Sequence, residues 1–127
     1  LRSQIIFRRD VAGQRSFSED FFLNAVHEFG HALGLQHSFT SSSMSTQRTR
    51  ATTRSKPLAA DDIAAISILY PSRNFYTLFG TVAGRVMQNG QGVNLASVVA
   101  LSLSGTSVST LTNPDGTYQI QGIPPGP

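Results

Sequence analysis

His27-Glu28-Phe29-Gly30-His31-Ala32-Leu33-Gly34-Leu35-Gln36-His37 holds all 3 histidines of this 127-residue chain. A helix turns about 100° per residue, so His27 and His31 lie on one face, a turn apart, and can offer ring nitrogens to a single metal ion. Glu28 stands between them but is directed to one side, better placed to hold a water beside the ion than to ligate it. Two ligands hold zinc poorly; a catalytic site usually has three protein ligands and an open position. His37 is the third candidate. An unbroken helix would carry it about 240° round the axis from His31. Gly34 removes that obstacle, because glycine enters the left-handed region at little cost and lets the chain reverse. Three unrelated surface or core histidines are the blander reading, but five residue types at fixed spacing rarely agree by chance.

The flanking residues predict the helix that this geometry needs. Ser16-Phe17-Ser18-Glu19 fits a capping box, and Asp20 places negative charge in the first turn, where the helix dipole favours it. Phe22, Val26, Phe29 and Leu33 recur at helical spacing, an apolar stripe expected to bury against a sheet. Gln4-Ile5-Ile6-Phe7-Arg8 reads as a strand of that sheet. A second amphipathic helix is expected over Asp61–Tyr70, with two aspartates in its first turn, Ile63, Ile66 and Tyr70 on one face, and Pro71 as its stop.

Residues Ile5 to Pro71 resemble the C-terminal part of a matrixin-type metzincin catalytic domain. The resemblance rests on the H-E-x-x-H-x-x-G-x-x-H pattern of residues 27–37, continued by Ser38, and on Asp61-Asp62-Ile63-Ala64-Ala65-Ile66-Ser67-Ile68-Leu69-Tyr70-Pro71, which is similar to the family's last catalytic-domain helix. It implies a zinc-dependent endopeptidase with His27, His31 and His37 as ligands of Zn2+, Glu28 as general base, and a peptide or protein as substrate. It also implies a methionine in a tight turn beneath the metal, for which Met44 is the candidate; a surface methionine in a serine-rich loop is the alternative. Met44 is followed by Ser45-Thr46, where the family usually has Tyr-Pro. The other methionine, Met87, is expected to pack elsewhere. Ser45 to Lys56 is rich in Ser, Thr and Arg without apolar periodicity and reads as a solvated loop. In the resembling family this region walls the pocket for the residue after the scissile bond.

After Pro71 the composition changes. From Tyr76 onward Arg85 and Asp115 are the only charged residues, and Gly, Val, Ser and Thr dominate. Strands are expected over Phe79–Val86, within Leu95–Leu103 with alternation at Val99, Leu101 and Leu103, and over Val108–Thr112. Asn89-Gly90-Gln91-Gly92 and Asn113-Pro114-Asp115-Gly116 carry turn chemistry, and Thr117–Ile120 is expected to complete a hairpin. Gly84-Arg85-Val86, Gly92-Val93 and the run from Thr112 to Gly126 resemble the start of a carboxypeptidase-regulatory-like module, a small transthyretin-like β-sandwich. An unassigned Greek-key sandwich would show the same strands. No catalytic groups are offered here, and a spacer or adhesion role is expected.

The expected fold class is α+β. Residues 1–74 form a partial metzincin catalytic domain (one strand, active-site helix, Met-turn loop, C-terminal helix), and residues 75–127 an incomplete all-β transthyretin-like sandwich, with the boundary between Pro71 and Leu78. The chain reads as a fragment of a longer polypeptide, inactive by itself while the parent is active. A net charge of +3 without aromatic–basic interleaving speaks against nucleic acid as a partner, and no apolar run is long enough to span a bilayer. With no cysteine, disulfides and thiolate zinc ligands are excluded. An extracellular location is implied by the resemblance. A non-catalytic secreted binding or adhesion protein built on the metalloprotease scaffold is the alternative, against which stands the retention of Glu28 with all three histidines.

Overall fold

The computed structural model describes residues 2–7, 19–47 and 52–126. It contains helices and strands, an α+β composition, and its contacts divide the chain into two units, Leu1–Ala59 and Ala60–Pro127.

The first unit is organised by helix α1 (Glu19–Ala32). The capping box expected from Ser16 lies outside the described residues. Phe22 and Val26 are half-buried, whereas Phe29 and Leu33 are 58% and 49% exposed. The expected burial of the whole stripe against a sheet is thus not what forms. Gln4–Phe7 is not a strand, since a strand exists only where a second one completes its backbone hydrogen bonds. Phe7 instead meets the Phe21 ring at 5.3 Å between centroids. The Arg54 guanidinium lies 5.9 Å above the Phe22 ring, a cation–π contact.

The second unit opens with α2 (Ala60–Leu69), followed by the short α3 (Phe75–Leu78). Six strands follow: β1 (Gly80–Arg85), β2 (Met87–Gln88), β3 (Gln91–Gly92), β4 (Ser97–Leu101), β5 (Ser107–Leu111) and β6 (Thr117–Ile123). They pair antiparallel as β1 with β6, β2 with β3, and β4 with β5. The expected hairpin between Val108–Thr112 and Thr117–Ile120 is therefore replaced. The turn at 113–116 forms, with Gly116 at φ 84°, but β6 leaves it to pair with the distant β1. Thr112 explains the departure: its hydroxyl donates to the Val93 carbonyl and accepts from the Ala96 amide, anchoring the end of β5 on another segment. Within the turn, the Thr117 hydroxyl and amide bond the Asp115 carboxylate at 2.6 and 3.0 Å. Those bonds, with Arg85 at 3.1 Å, hold its pKa down at about 2.

Ala64, Val108 and Ile120 form the core of this unit, with Val98 and Ala100 of β4 packed against it. The alternation in β4 is present, but its larger side chains point the other way: Val99 and Leu101 are exposed, as is Leu103 beyond the strand. Parity in a strand assigns alternate residues to opposite faces, and here the smaller set faces the core. The face of α2 also departs from expectation, with only Ile66 of its three expected residues half-buried. Asp61, Asp62 and Ala64 are buried, while Ile63 and Tyr70 are 45% and 63% exposed. Two contacts decide this. Ala64 lies so close to Gly122 that a Cβ there would come within 2.9 Å of the Ala64 Cβ. The Asp61 carboxylate accepts from the Ser109 amide at 2.6 Å and from its hydroxyl at 3.1 Å. Met87, expected to pack, is 49% exposed.

Asp61→Ala removes the acceptor for a backbone N–H of β5, and urea unfolding of the chain is expected to show a loss of about 2 kcal/mol. Leu95 offers the opposite test. It sits at φ 56° and is 65% exposed, and the left-handed region costs an L-residue roughly 1–2 kcal/mol. Leu95→Gly is expected to raise stability by about 0.5–1 kcal/mol after the entropic cost of glycine is counted, a gain that the same measurement would detect.

Candidate metal centre

Helix α1 ends where the third histidine requires it to. The Gly34 amide bonds the His31 carbonyl at 3.0 Å and the Leu35 amide bonds the Gly30 carbonyl at 3.0 Å. This pair of bonds defines a Schellman end. Gly34 takes φ 99°, as its position in the motif requires, and Leu35 is buried beside Gly30. The chain then runs back past the last turn of α1 and carries His37 with it.

The three rings converge. His31 Nε2 lies 3.1 Å from His27 Nε2 and 3.2 Å from His37 Nε2, and one nitrogen from each ring lies within 4.8 Å of the others. Two nitrogens each about 2.0–2.1 Å from one tetrahedral zinc ion stand roughly 3.3–3.4 Å apart, so His31 Nε2 stands close to zinc spacing from both of the other nitrogens. His27 and His31 are half-buried and His37 is exposed, leaving one side of the group open.

The outer nitrogens determine what the inner ones can do. His27 Nδ1 bonds the Ser43 carbonyl at 2.6 Å, and His31 Nδ1 bonds the Leu35 carbonyl at 2.9 Å. A carbonyl only accepts, so both Nδ1 atoms carry the hydrogen, and in the neutral ring each Nε2 is left with a lone pair. Two such lone pairs facing each other at 3.1 Å repel, and a cation between them turns that repulsion into ligation. Orientation of metal-binding imidazoles through the other ring nitrogen is the usual support of such sites.

Beneath the histidines, residues 38–45 form a loop closed by the Ser38 amide on the Met44 carbonyl at 2.8 Å and by a bridge between Ser38 and Ser45. Met44 is 3% exposed and its sulfur presses on Gly30, where a Cβ would overlap it. Glu28 is exposed on α1, next to His27. The structure thus brings His27, His31 and His37 together and sets Met44 against the helix that bears the first two. Of the cationic loop expected over 45–56, residues 48–51 lie outside the described residues.

Three contributors were not legible beforehand. Gly30 had a signal: glycine inside a helix costs about 1 kcal/mol relative to alanine, and its contact with the Met44 sulfur supplies a packing reason for it. The carbonyls of Leu35 and Ser43 had none, because every residue has a carbonyl and only the tertiary path aims it.

Residues 7–71, just over half of the 127-residue chain, match the matrixin family. No curated protein and no solved structure is matched. The paired histidines on α1, the reversal at Gly34 and His37 all fall within the matched residues, and the chain belongs to the matrixin family of zinc-dependent peptidases.

Proposed function

We propose that this chain carries the centre of a zinc-dependent endopeptidase, with His27, His31 and His37 as the ligands and Glu28 as the general base. The observation that supports this best is the convergence of three imidazole nitrogens at zinc-like spacing, two of them held as lone-pair donors by backbone carbonyls. Bound there, zinc supplies Lewis-acid polarisation of a scissile carbonyl and acidifies water towards a pKa of about 7. Glu28 takes the proton of the attacking water on a carboxylate oxygen and delivers it to the nitrogen of the leaving amine. Its exposed place on α1, next to His27, is what favours it for that role. Met44, buried against Gly30, is the residue of the Met-turn, and it supports the helix rather than touching substrate.

Family membership favours peptides or proteins as substrates and an extracellular setting. Among the described residues, no helix is long and apolar enough to cross a membrane. Retention of Glu28 beside a complete histidine set favours catalysis over a scaffold that only binds. The β-rich residues 75–127 are proposed to be an appended module, with the boundary between Pro71 and Leu78, beyond the end of the matrixin match. A carboxypeptidase-regulatory-like sandwich is the reading we favour for it.

His31→Ala is expected to abolish stoichiometric zinc binding, measured by elemental analysis after gel filtration, because the remaining pair cannot complete a three-ligand site. Zinc retained at about one ion per chain in that variant would exclude the assignment. Glu28→Gln keeps the size of the side chain but cannot accept the proton. The full protein carrying it is expected to keep its zinc while hydrolysis of a fluorogenic peptide slows by about 10²–10⁴-fold; wild-type turnover would mean that another group is the base.

A further inference from the structure

We propose that Ser43 is a positioning residue of the metal centre, its hydroxyl clasping the Pro57 carbonyl so that its own carbonyl holds His27 in the metal-binding tautomer. This inference rests on the zinc reading above and adds a residue to it. Ser43 faces two ways. Its carbonyl accepts the Nδ1–H of His27 at 2.6 Å, and its hydroxyl donates to the carbonyl of Pro57, well beyond the loop. The neighbouring bonds are internal to the loop: Ser38 to Met44, Ser38 to Thr40, Thr40 to Ser42 and Ser42 to Ser45. They shape the loop, whereas the Ser43 hydroxyl reaches a segment beyond it.

Residues 38–47 are Ser, Phe, Thr, Met and Gln, with no proline to stiffen the backbone. Such a segment has many conformations in which the Ser43 carbonyl points elsewhere. Pro57, by contrast, has its φ held by its ring, so a hydroxyl bound to its carbonyl is tied to a restricted partner. If the clasp opens, the Ser43 carbonyl is free to turn away from His27. The ring can then place its hydrogen on either nitrogen and rotate, and the population with a free lone pair on Nε2 falls. Loss of such supporting contacts typically costs 10–100-fold in metal affinity.

Ser42 supplies the control. It lies next to Ser43 in the same loop and is more deeply enclosed, at 3% exposure, yet its hydroxyl has no hydrogen-bond partner among the described residues. Ser42→Ala therefore removes the same atom from the same loop without opening a bond.

The experiment titrates zinc alone into the 127-residue chain against a chromophoric chelator and follows His27 by long-range ¹⁵N–¹H NMR. Ser43→Ala is expected to weaken zinc binding by about tenfold or more and to blur the Nδ1–H signature of His27. Ser42→Ala is expected to bind as wild type. Ser43→Thr keeps the hydroxyl and is expected to restore most of the affinity, whereas the isosteric Ser43→Val is expected to behave like alanine. Should circular dichroism show that Ser43→Ala has lost α1, the Thr–Val pair decides. Wild-type zinc affinity and an unchanged tautomer in Ser43→Ala, equal affinity in the Thr and Val variants, or equal weakening by Ser42→Ala would each overturn the clasp while leaving the zinc site in place. Failure of the unmodified chain to bind zinc would overturn the zinc reading first, and the clasp with it.

Discussion

Gly34 stands at φ 99°, where a Cβ would crowd the carbonyl oxygen, and the chain turns back on itself at that residue. The histidine pair on α1 needs nothing more than helical periodicity, but a pair is not a zinc site. The third ring arrives because the helix stops within a turn of His31 and its freed carbonyls are taken up by Gly34 and Leu35. The same reversal brings the Leu35 carbonyl under His31. One left-handed residue thus caps the helix, delivers His37 and orients His31.

Orientation of His27 comes from a separate part of the chain. The loop at 38–45 meets α1 in two ways, through the Ser43 carbonyl on the His27 ring and through the Met44 sulfur on Gly30. Polar and apolar contacts here have different jobs. The carbonyl selects a tautomer, which is a question of where one hydrogen sits. The sulfur fills the space left by a residue without a side chain and sets how near the loop can come. Both act on the same helical turn, so a shift of the loop would alter ring orientation and helix packing together.

The helix from Ala60 to Leu69 belongs to two descriptions at once. By sequence it lies within the residues that match the matrixin family, which run to 71. By contact it lies with the strands of the second unit, through Asp61 on Ser109 and Ala64 on Gly122. Similarity follows the order of residues along the chain, whereas contact follows which surfaces are present to be covered. The faces of this helix are not cleanly divided, with Ile66 half-buried and Ile63 and Ile68 exposed, and a backbone amide that needs an acceptor, as Ser109 does, helps decide which side is covered.

The histidine cluster and the helix that bears its first two members could be read directly from the order of amino acids, because a 3.6-residue period and a glycine stop are local properties that need no partner. The turns at Asn89-Gly90 and Asp115-Gly116 were legible for the same reason, as were the positions of β1, β4, β5 and the start of β6, but not β2 and β3. What sequence could not supply was pairing and facing. Thr117–Ile120 carried the pattern of a strand, yet only the folded chain extended it to Ile123 and assigned it to β1 instead of its neighbour. Val99, Leu101 and Leu103 had the right alternation on the outward face, and Ile63 and Tyr70 turned outward on α2. Periodicity establishes that a face exists; which face is buried depends on the shape and hydrogen-bonding needs of whatever lies opposite, and that is decided only when distant segments meet.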